Sequence, residues 1–370
     1  MKKTLIALAA LAATASFAQS SVTLSGNLDF GAMSVSGTQA GIKGSTIATS
    51  GGATSSTSVI RIIAVEDLGG GMKATANYAL DPRSLANDAT ANTLNNAANT
   101  ANAATANTNT GLSRDELFVG LSGSFGNIRL GSPNSIGLNA WQPSSSLGTG
   151  IGSGYTGRGA AGTMTNTFVQ TRYSRSVRYD SPVMGGFQVA VLYAAGNDEP
   201  ANGTTALNII NARQATEFGL RYDNGPLTVA YASVQQGGGQ VNKTGWYSGA
   251  NTAVLKKTAA NVLSASFKMG DTTLHAGMND GDRLAANTDG SAVKSKGSNI
   301  AITQNIGQIG LMAGMRNQKV GAVESKVTGL RADYNLSKTA AVYIGYENYD
   351  TGAATANTAK LTSIGLRKSF

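Results

Sequence analysis

The stretch TRYSRSVRYDSP sets Arg172, Arg175 and Arg178 three residues apart, with Tyr173, Val177 and Tyr179 between them. A guanidinium stays charged at any physiological pH and offers a planar fork of donors to anions. The chemistry on offer is therefore anion binding, not proton transfer. Which surface receives it depends on the element. On a helix, a spacing of three gathers the arginines onto one stripe, as a nucleic-acid binder would want. On a strand, neighbours point to opposite faces, so Arg172 and Arg178 share one face while Val177 and Tyr179 share the other. From Leu117 through Tyr179 the chain has no Asp or Glu, and it carries two more arginines there, Arg129 and Arg158.

Other chemistries are poorly provided for. His275, in TTLHAGMND, is the only histidine. Hydrolysis would need a paired nucleophile and an orienting group, and no G-x-S-x-G elbow lies nearby. With no cysteine and no cluster of histidines or carboxylates, no metal ligand set can be assembled. NDGD (residues 279–282) is too short a pattern for a calcium loop, although Asp81, Asp88, Asp280 and Asp282 all fall in expected loops. The basic balance, a formal +9, lacks the exposed basic patches with stacking aromatics that nucleic-acid binding uses. The expectation is no catalytic residue, no metal, no cofactor and no nucleic-acid partner.

The arginines must be positioned by strands, because alternation recurs along the chain. SVTLSGNLDF puts Val22, Leu24, Leu28 and Phe30 on one face, and EFGLRYD and AVYIGYEN alternate in the same way. Short Gly/Asp/Asn/Pro connections (EDLGGGM, SGSFGN, YDNGP, KMGD) suit tight turns. They alternate with long polar segments at 34–57, 82–112, 132–170, 196–214, 236–257 and 279–297. Of these, residues 86–110 are a low-complexity Asn/Ala/Thr tract that reads as a surface loop. MKKTLIALAALAATASFA reads as a signal peptide cleaved after Ala18, with two lysines, a short apolar run and small residues at the cleavage site. Export, short turns on one side and long loops on the other define an outer-membrane barrel. The segments approach the roughly 9–11 residues of tilted membrane strands, which is longer than a secreted sandwich needs. The count is sixteen antiparallel strands from Val22 to Phe370, an all-β transmembrane barrel occupying residues 19–370.

In such a barrel apolar residues face lipid and polar residues face the lumen. Outward Val177 and Tyr179 send Arg172 and Arg178 inward, and Arg129, between Ile128 and Leu130, follows. Arg175 falls on the wrong face, so a bulge, a subunit interface or a headgroup-level position must rescue it. The opposite register would put two arginines into lipid at about 2–4 kcal/mol each. Asp29, Glu217 and Glu347 share the inward face and are the carboxylates that would oppose the arginines. Arg331 and Arg367 are inward too, with Asp333 two residues from Arg331 and able to cancel it. An uncompensated positive wall in a narrow wet bore concentrates anions and repels cations. Water stays in the bore because inward positions read as polar or small.

The segments VEDLGGGMKA, FVGLSGSFGNIRLG, SVRYDSPVMGGFQVAVLYAAG and the terminal KSF resemble the trimeric sixteen-stranded porins of β-proteobacteria. The resemblance implies a homotrimer, a third loop (Ser132 to Gln170) folded into the barrel as a constriction, and a terminal Phe370 read by the outer-membrane assembly machinery. It also implies a lumen arginine before the EDLGGG turn. Here that role falls to Arg61, shifted along the strand but of the same parity, flanked by Ile60 and Ile62. Ser132 stands where the family commonly has an arginine. The reading is a passive diffusion channel for small hydrophilic solutes and for inorganic or organic anions, lined by Arg61, Arg129, Arg158, Arg172 and Arg178. The alternative is a plugged barrel acting as an adhesin or surface receptor.

Overall fold

Strand alternation leaves every backbone N–H and C=O needing a neighbour, and in a bilayer only a closed sheet supplies one to all of them. The computed structural model describes residues 20–37, 44–48, 58–80, 115–145, 150–154, 171–195, 214–237, 239–242, 252–255, 257–284, 292–352 and 358–370. Its sheet closes on itself through β1 (Ser21–Gly37), β2 (Val59–Gly69), β3 (Met72–Leu80), β4 (Leu117–Gly123), β5 (Gly126–Ser132), β6 (Ser176–Asp180), β7 (Phe187–Ala194) and β8 (Ala215–Asn224). It continues through β9 (Leu227–Gln236), β10 (Thr258–Met269), β11 (Thr272–Leu284), β12 (Ala292–Ile306), β13 (Ile309–Val320), β14 (Val323–Ser337), β15 (Ala340–Asp350) and β16 (Thr358–Ser369). A short strand, Gly44–Ala48, continues the β2 position alongside the upper half of β1. The barrel therefore has sixteen staves, all antiparallel to their neighbours.

Closure runs from Asn27↔Ser369 to Gly37↔Ala359. Phe370 completes it, donating its N–H to the Gly26 carbonyl at 3.0 Å and accepting from the Gly26 N–H at 2.9 Å. Two-residue turns at 270–271, 307–308 and 338–339 join strands on the side of the termini. Gly270 (φ 58°) and Gly307 (φ 57°) take up the left-handed geometry there.

The opposite end is less regular than the sequence predicts. The expected loop at 279–297 shrinks, because β11 runs to Leu284 and β12 starts at Ala292, so Asp280 and Asp282 lie on a strand. Residues 321–322 make a tight turn on the loop side, where no connection was expected. The 236–257 segment contains a hairpin, Gly239–Asn242 with Thr252–Leu255. The leader, Asp81, Asp88 and the tract at 86–110 lie outside the described residues.

Outward residues form an apolar belt. Ile300 faces Met315, Leu330 faces Tyr346 and Ile344 faces Ile364 across neighbouring strands, all of them exposed. Such a belt makes sense only against hydrocarbon. Among the described residues no helix is long and apolar enough to cross a membrane, and the strands do it instead.

Candidate functional site

The inward segment begins where β5 ends. Its two ends are tied together by a bridge between Asn134 and Arg172 and by the Ser135 N–H on the Thr171 carbonyl at 2.9 Å. Ser135 then caps a short helix, α1 (Ile136–Trp141), its Oγ accepting from the Leu138 N–H at 2.9 Å. A buried carboxylate on β8 holds the start of that helix. Glu217 Oε2 accepts from the N–H groups of Ile136 at 2.6 Å and Gly137 at 3.1 Å.

Successive strands take up the rest. Ser264 on β10 donates to the Ala140 carbonyl, and His275 Nδ1 on β11 lies 2.9 Å from the Pro143 carbonyl. Asn299 Nδ2 on β12 donates to the Ser144 carbonyl at 2.5 Å. On the far wall Glu347 Oε1 accepts from the Gly152 N–H at 3.2 Å, and Arg331 Nη1 reaches the Ile151 carbonyl at 3.4 Å. His275 is thus a strut under the loop.

The strands make room for this crossing with glycines at inward positions. A Cβ at Gly277 would lie 2.5 Å from Ser144 Cβ, and one at Gly345 would lie 2.7 Å from Ile151 Cγ2. Gly219 meets Ile136 in the same way, while Gly314 and Gly329, directly paired across β13 and β14, meet Ser153 and Gly154. The inward face is also more apolar than the sequence implied. Leu192, Val234 and Val262 pack with Ile136 and Trp141, and Met33, Val327 and Leu361 cluster with Ile151. These side chains form a core between wall and loop. The expectation of a polar or small inward face therefore fails wherever the loop covers it.

The arginines gather on the wall that the described part of the loop leaves uncovered, but they are not uncompensated. Asp180, directly after the acid-free run, pairs with both Arg129 and Arg178, which face each other across β5 and β6. The Arg178 Nη2–Asp180 Oδ1 distance is 2.6 Å. Asp115, just before the run, pairs with Arg172 and lies 3.7 Å from Arg61. Arg178 also donates to the Asn134 carbonyl at 2.7 Å and to Asn139 Oδ1, and Glu116 Oε1 accepts from the Asn134 N–H at 2.8 Å. Two like charges placed opposite each other in a sheet repel, and each carboxylate sits where it relieves a pair.

Exposure distinguishes the two signs. The side chains of Arg61, Arg172 and Arg129 are 36%, 23% and 17% exposed, whereas Asp115 and Asp180 are each 7% exposed. These three guanidiniums stand in front and the two carboxylates behind, with Arg178 buried beside Asp180.

Three sequence expectations change here. Arg172 lies on the returning stem of the loop, not on β6, which starts at Ser176, so its placement comes from the bridge to Asn134 rather than from strand parity. Arg175 sits in the turn before β6 with φ 58°, exposed at the strand end, and no bulge is involved. Asp29, Glu217 and Glu347 do face inward but are wholly buried: Asp29 accepts from the Tyr343 hydroxyl at 2.5 Å, and the two glutamates hold the loop. None of the three opposes the arginines across open water. Arg158 lies outside the described residues. Arg331 is cancelled as its spacing implies, with Nε 2.5 Å from Asp333 Oδ1, and its guanidinium stacks 4.0 Å over the Tyr343 ring.

The sequence reading missed Asp115 and Asp180 as partners because they stand just outside the acid-free window. It missed the glycine trough although glycine recurs at inward positions in EFGLRY, HAGMND, MAGMRN, VTGLRA and YIGYEN.

The family described as Gram-negative porin matches residues 4–354. The chain is a member of the Gram-negative porin family. The porin is 31% identical to outer membrane porin protein 32 of Delftia acidovorans, an alignment covering 93% of this chain and 88% of the relative. It is 33% identical to the major outer membrane protein P.IB of Neisseria gonorrhoeae over 37% of its length and 35% of that protein. Among solved structures, the anion-selective porin from Comamonas acidovorans superposes with a TM-score of 0.71 at 20% identity, covering 95% of this chain and all of that one. OmpT of Vibrio cholerae superposes with a TM-score of 0.64 at 14% identity, covering 95% and 98%. The porin is an outer-membrane channel for passive diffusion.

Proposed function

We propose that the porin prefers anions among small hydrophilic solutes, and that Arg61, Arg129, Arg172 and Arg178 set that preference. The carrying observation is the exposure contrast around the inward segment, where the guanidiniums of Arg61, Arg129 and Arg172 meet water and Asp115 and Asp180 do not. Arg178 is buried beside Asp180 and adds its charge from behind them. A passing anion therefore exchanges hydration for guanidinium contacts, while a cation meets few exposed counter-charges. The selectivity named for the Comamonas acidovorans structure agrees with this reading.

By its sequence position in the glycine-rich segment GSGYTGRGAAG, Arg158 is assigned to the same pore-lining set. The porin performs no chemistry of its own. It works as a homotrimer, after cleavage behind Ala18 and insertion guided by Phe370. The solutes include inorganic and organic anions.

The test is the reversal potential of purified protein in a planar bilayer under a KCl gradient. A potential with the sign set by chloride is expected. The potassium sign would sink the anion claim, and absence of conductance would point to the plugged, adhesive alternative. Crosslinking in native membranes should trap three copies, and a single species would remove the trimer.

A further inference from the structure

The outward face of β11–β15 carries two features that transport does not use. Near its loop-side end, Lys296 on β12 and Lys319 on β13 are direct cross-strand partners, both exposed and both on the lipid-facing parity of Ile300 and Met315. Two lysines opposite each other repel. On the lumen side the equivalent pair, Arg129 and Arg178, has Asp180 between its members. Outside, among the described residues, neither lysine has a carboxylate within ion-pair distance. Asp280 lies across the ladder from Lys296 and Glu324 across from Lys319. Glu324 turns to Lys326 at 3.6 Å, and Asp280, exposed on the same face, comes no closer than 4.0 Å to the Lys296 ammonium.

The second feature lies lower on the same wall. A groove of about 540 Å³ opens outward, floored by Ala313 and Ala332 and rimmed by Ile302, Leu311, Leu330 and Ile344. Its lining is almost wholly apolar. Between groove and lysines stand Ser298 and Asn317, themselves cross-strand partners, so the face passes from apolar through uncharged polar to cationic along one direction. That order matches a lipid from tail to headgroup. The run along the membrane normal fits as well, because Lys319 and Ala313 are six residues apart on β13, about 20 Å along the strand and about 15 Å in height at the usual barrel tilt.

We infer that this wall holds a phosphate-bearing lipid of the outer leaflet, its phosphate between Lys296 and Lys319 and one acyl chain in the groove over Ala313 and Ala332. The phosphate supplies the negative charge that Asp180 supplies inside. The small floor residues give a chain the depth that neighbouring leucines and isoleucines deny it.

The probe is diphosphoryl lipid A added to the full-length protein in dodecyl maltoside, read as bound lipid by native mass spectrometry. Its dephosphorylated form and inorganic phosphate serve as controls. The double variant Lys296→Gln/Lys319→Gln should bind roughly thirtyfold more weakly, from about 1 kcal/mol per lysine at an anionic surface. Ala332→Leu, which fills the groove and leaves the charges in place, should also weaken binding while leaving single-channel conductance unchanged. The inference is overturned if both variants bind the lipid as the wild type does, or if the dephosphorylated form binds equally well. It is also overturned if inorganic phosphate alone competes at equal concentration, which would mark a free-anion site. Loss of self-association in Ala332→Leu would reassign the groove to a second copy of the chain.

Discussion

Two of the lumen walls that carry arginines differ in what covers them. The wall of β4–β6 is built from strands of seven, seven and five residues and holds Arg129 and Arg178, with Arg61 and Arg172 beside them. The wall of β13–β15 has strands of twelve, fifteen and eleven residues and holds Arg331. On the first wall the described part of the loop only starts and returns, and Arg61, Arg129 and Arg172 keep part of their exposure. On the second the loop lies in a glycine trough, and the Arg331 side chain is wholly buried against Asp333, Tyr343 and the loop backbone. The lesson is that inward charge and lumen charge are different quantities. Strand parity fixes the first, and the seat of one loop decides the second.

The comparison is broken most directly by unseating the loop. Gly329→Val puts a branched side chain where Gly152 and Gly154 now lie. Overpacking of this kind costs about 1–3 kcal/mol. The expected outcome is a marked rise in single-channel conductance together with exposure of Glu347 and weaker anion preference. Unchanged conductance would show that the loop does not narrow the bore.

Asp180→Asn tests the uncovered wall. Removing the carboxylate leaves Arg129 and Arg178 facing each other uncompensated, so stability should fall by about 3 kcal/mol, read as a lower unfolding midpoint. The reversal potential should move further toward chloride. A shift toward potassium would mean that the arginines rearrange out of the pathway.

Single arginines should then rank by exposure. Arg61→Gln is expected to shift the reversal potential toward potassium, and the shift should shrink in concentrated salt. The Debye length falls from about 10 Å at 0.1 M to about 3 Å at 1 M. Arg331→Gln should leave the potential almost unmoved, since both Arg331 and its partner Asp333 are buried away from the pathway. Equal shifts for the two would erase the distinction between the walls.

The chain's own pattern determined the barrel. Period-two alternation, with lipid outside and water inside, permits one register per strand, because a slip of one residue would turn every side chain to the wrong solvent. The same alternation placed Arg129 and Arg178 inward and paired Arg331 with Asp333, contacts two residues apart on one face. Alternation could not say which inward residues meet water. Glu217 and Glu347 look like lumen carboxylates in one dimension, yet they hold backbone N–H groups some eighty and two hundred residues away. Asp115 reaches Arg172 across fifty-seven residues. Those contacts depend on where a loop with no strand periodicity comes to rest, and glycines on five separate strands prepare that place. Local periodicity sets which face a residue takes, and only the closed barrel with its loop folded in decides what that face touches.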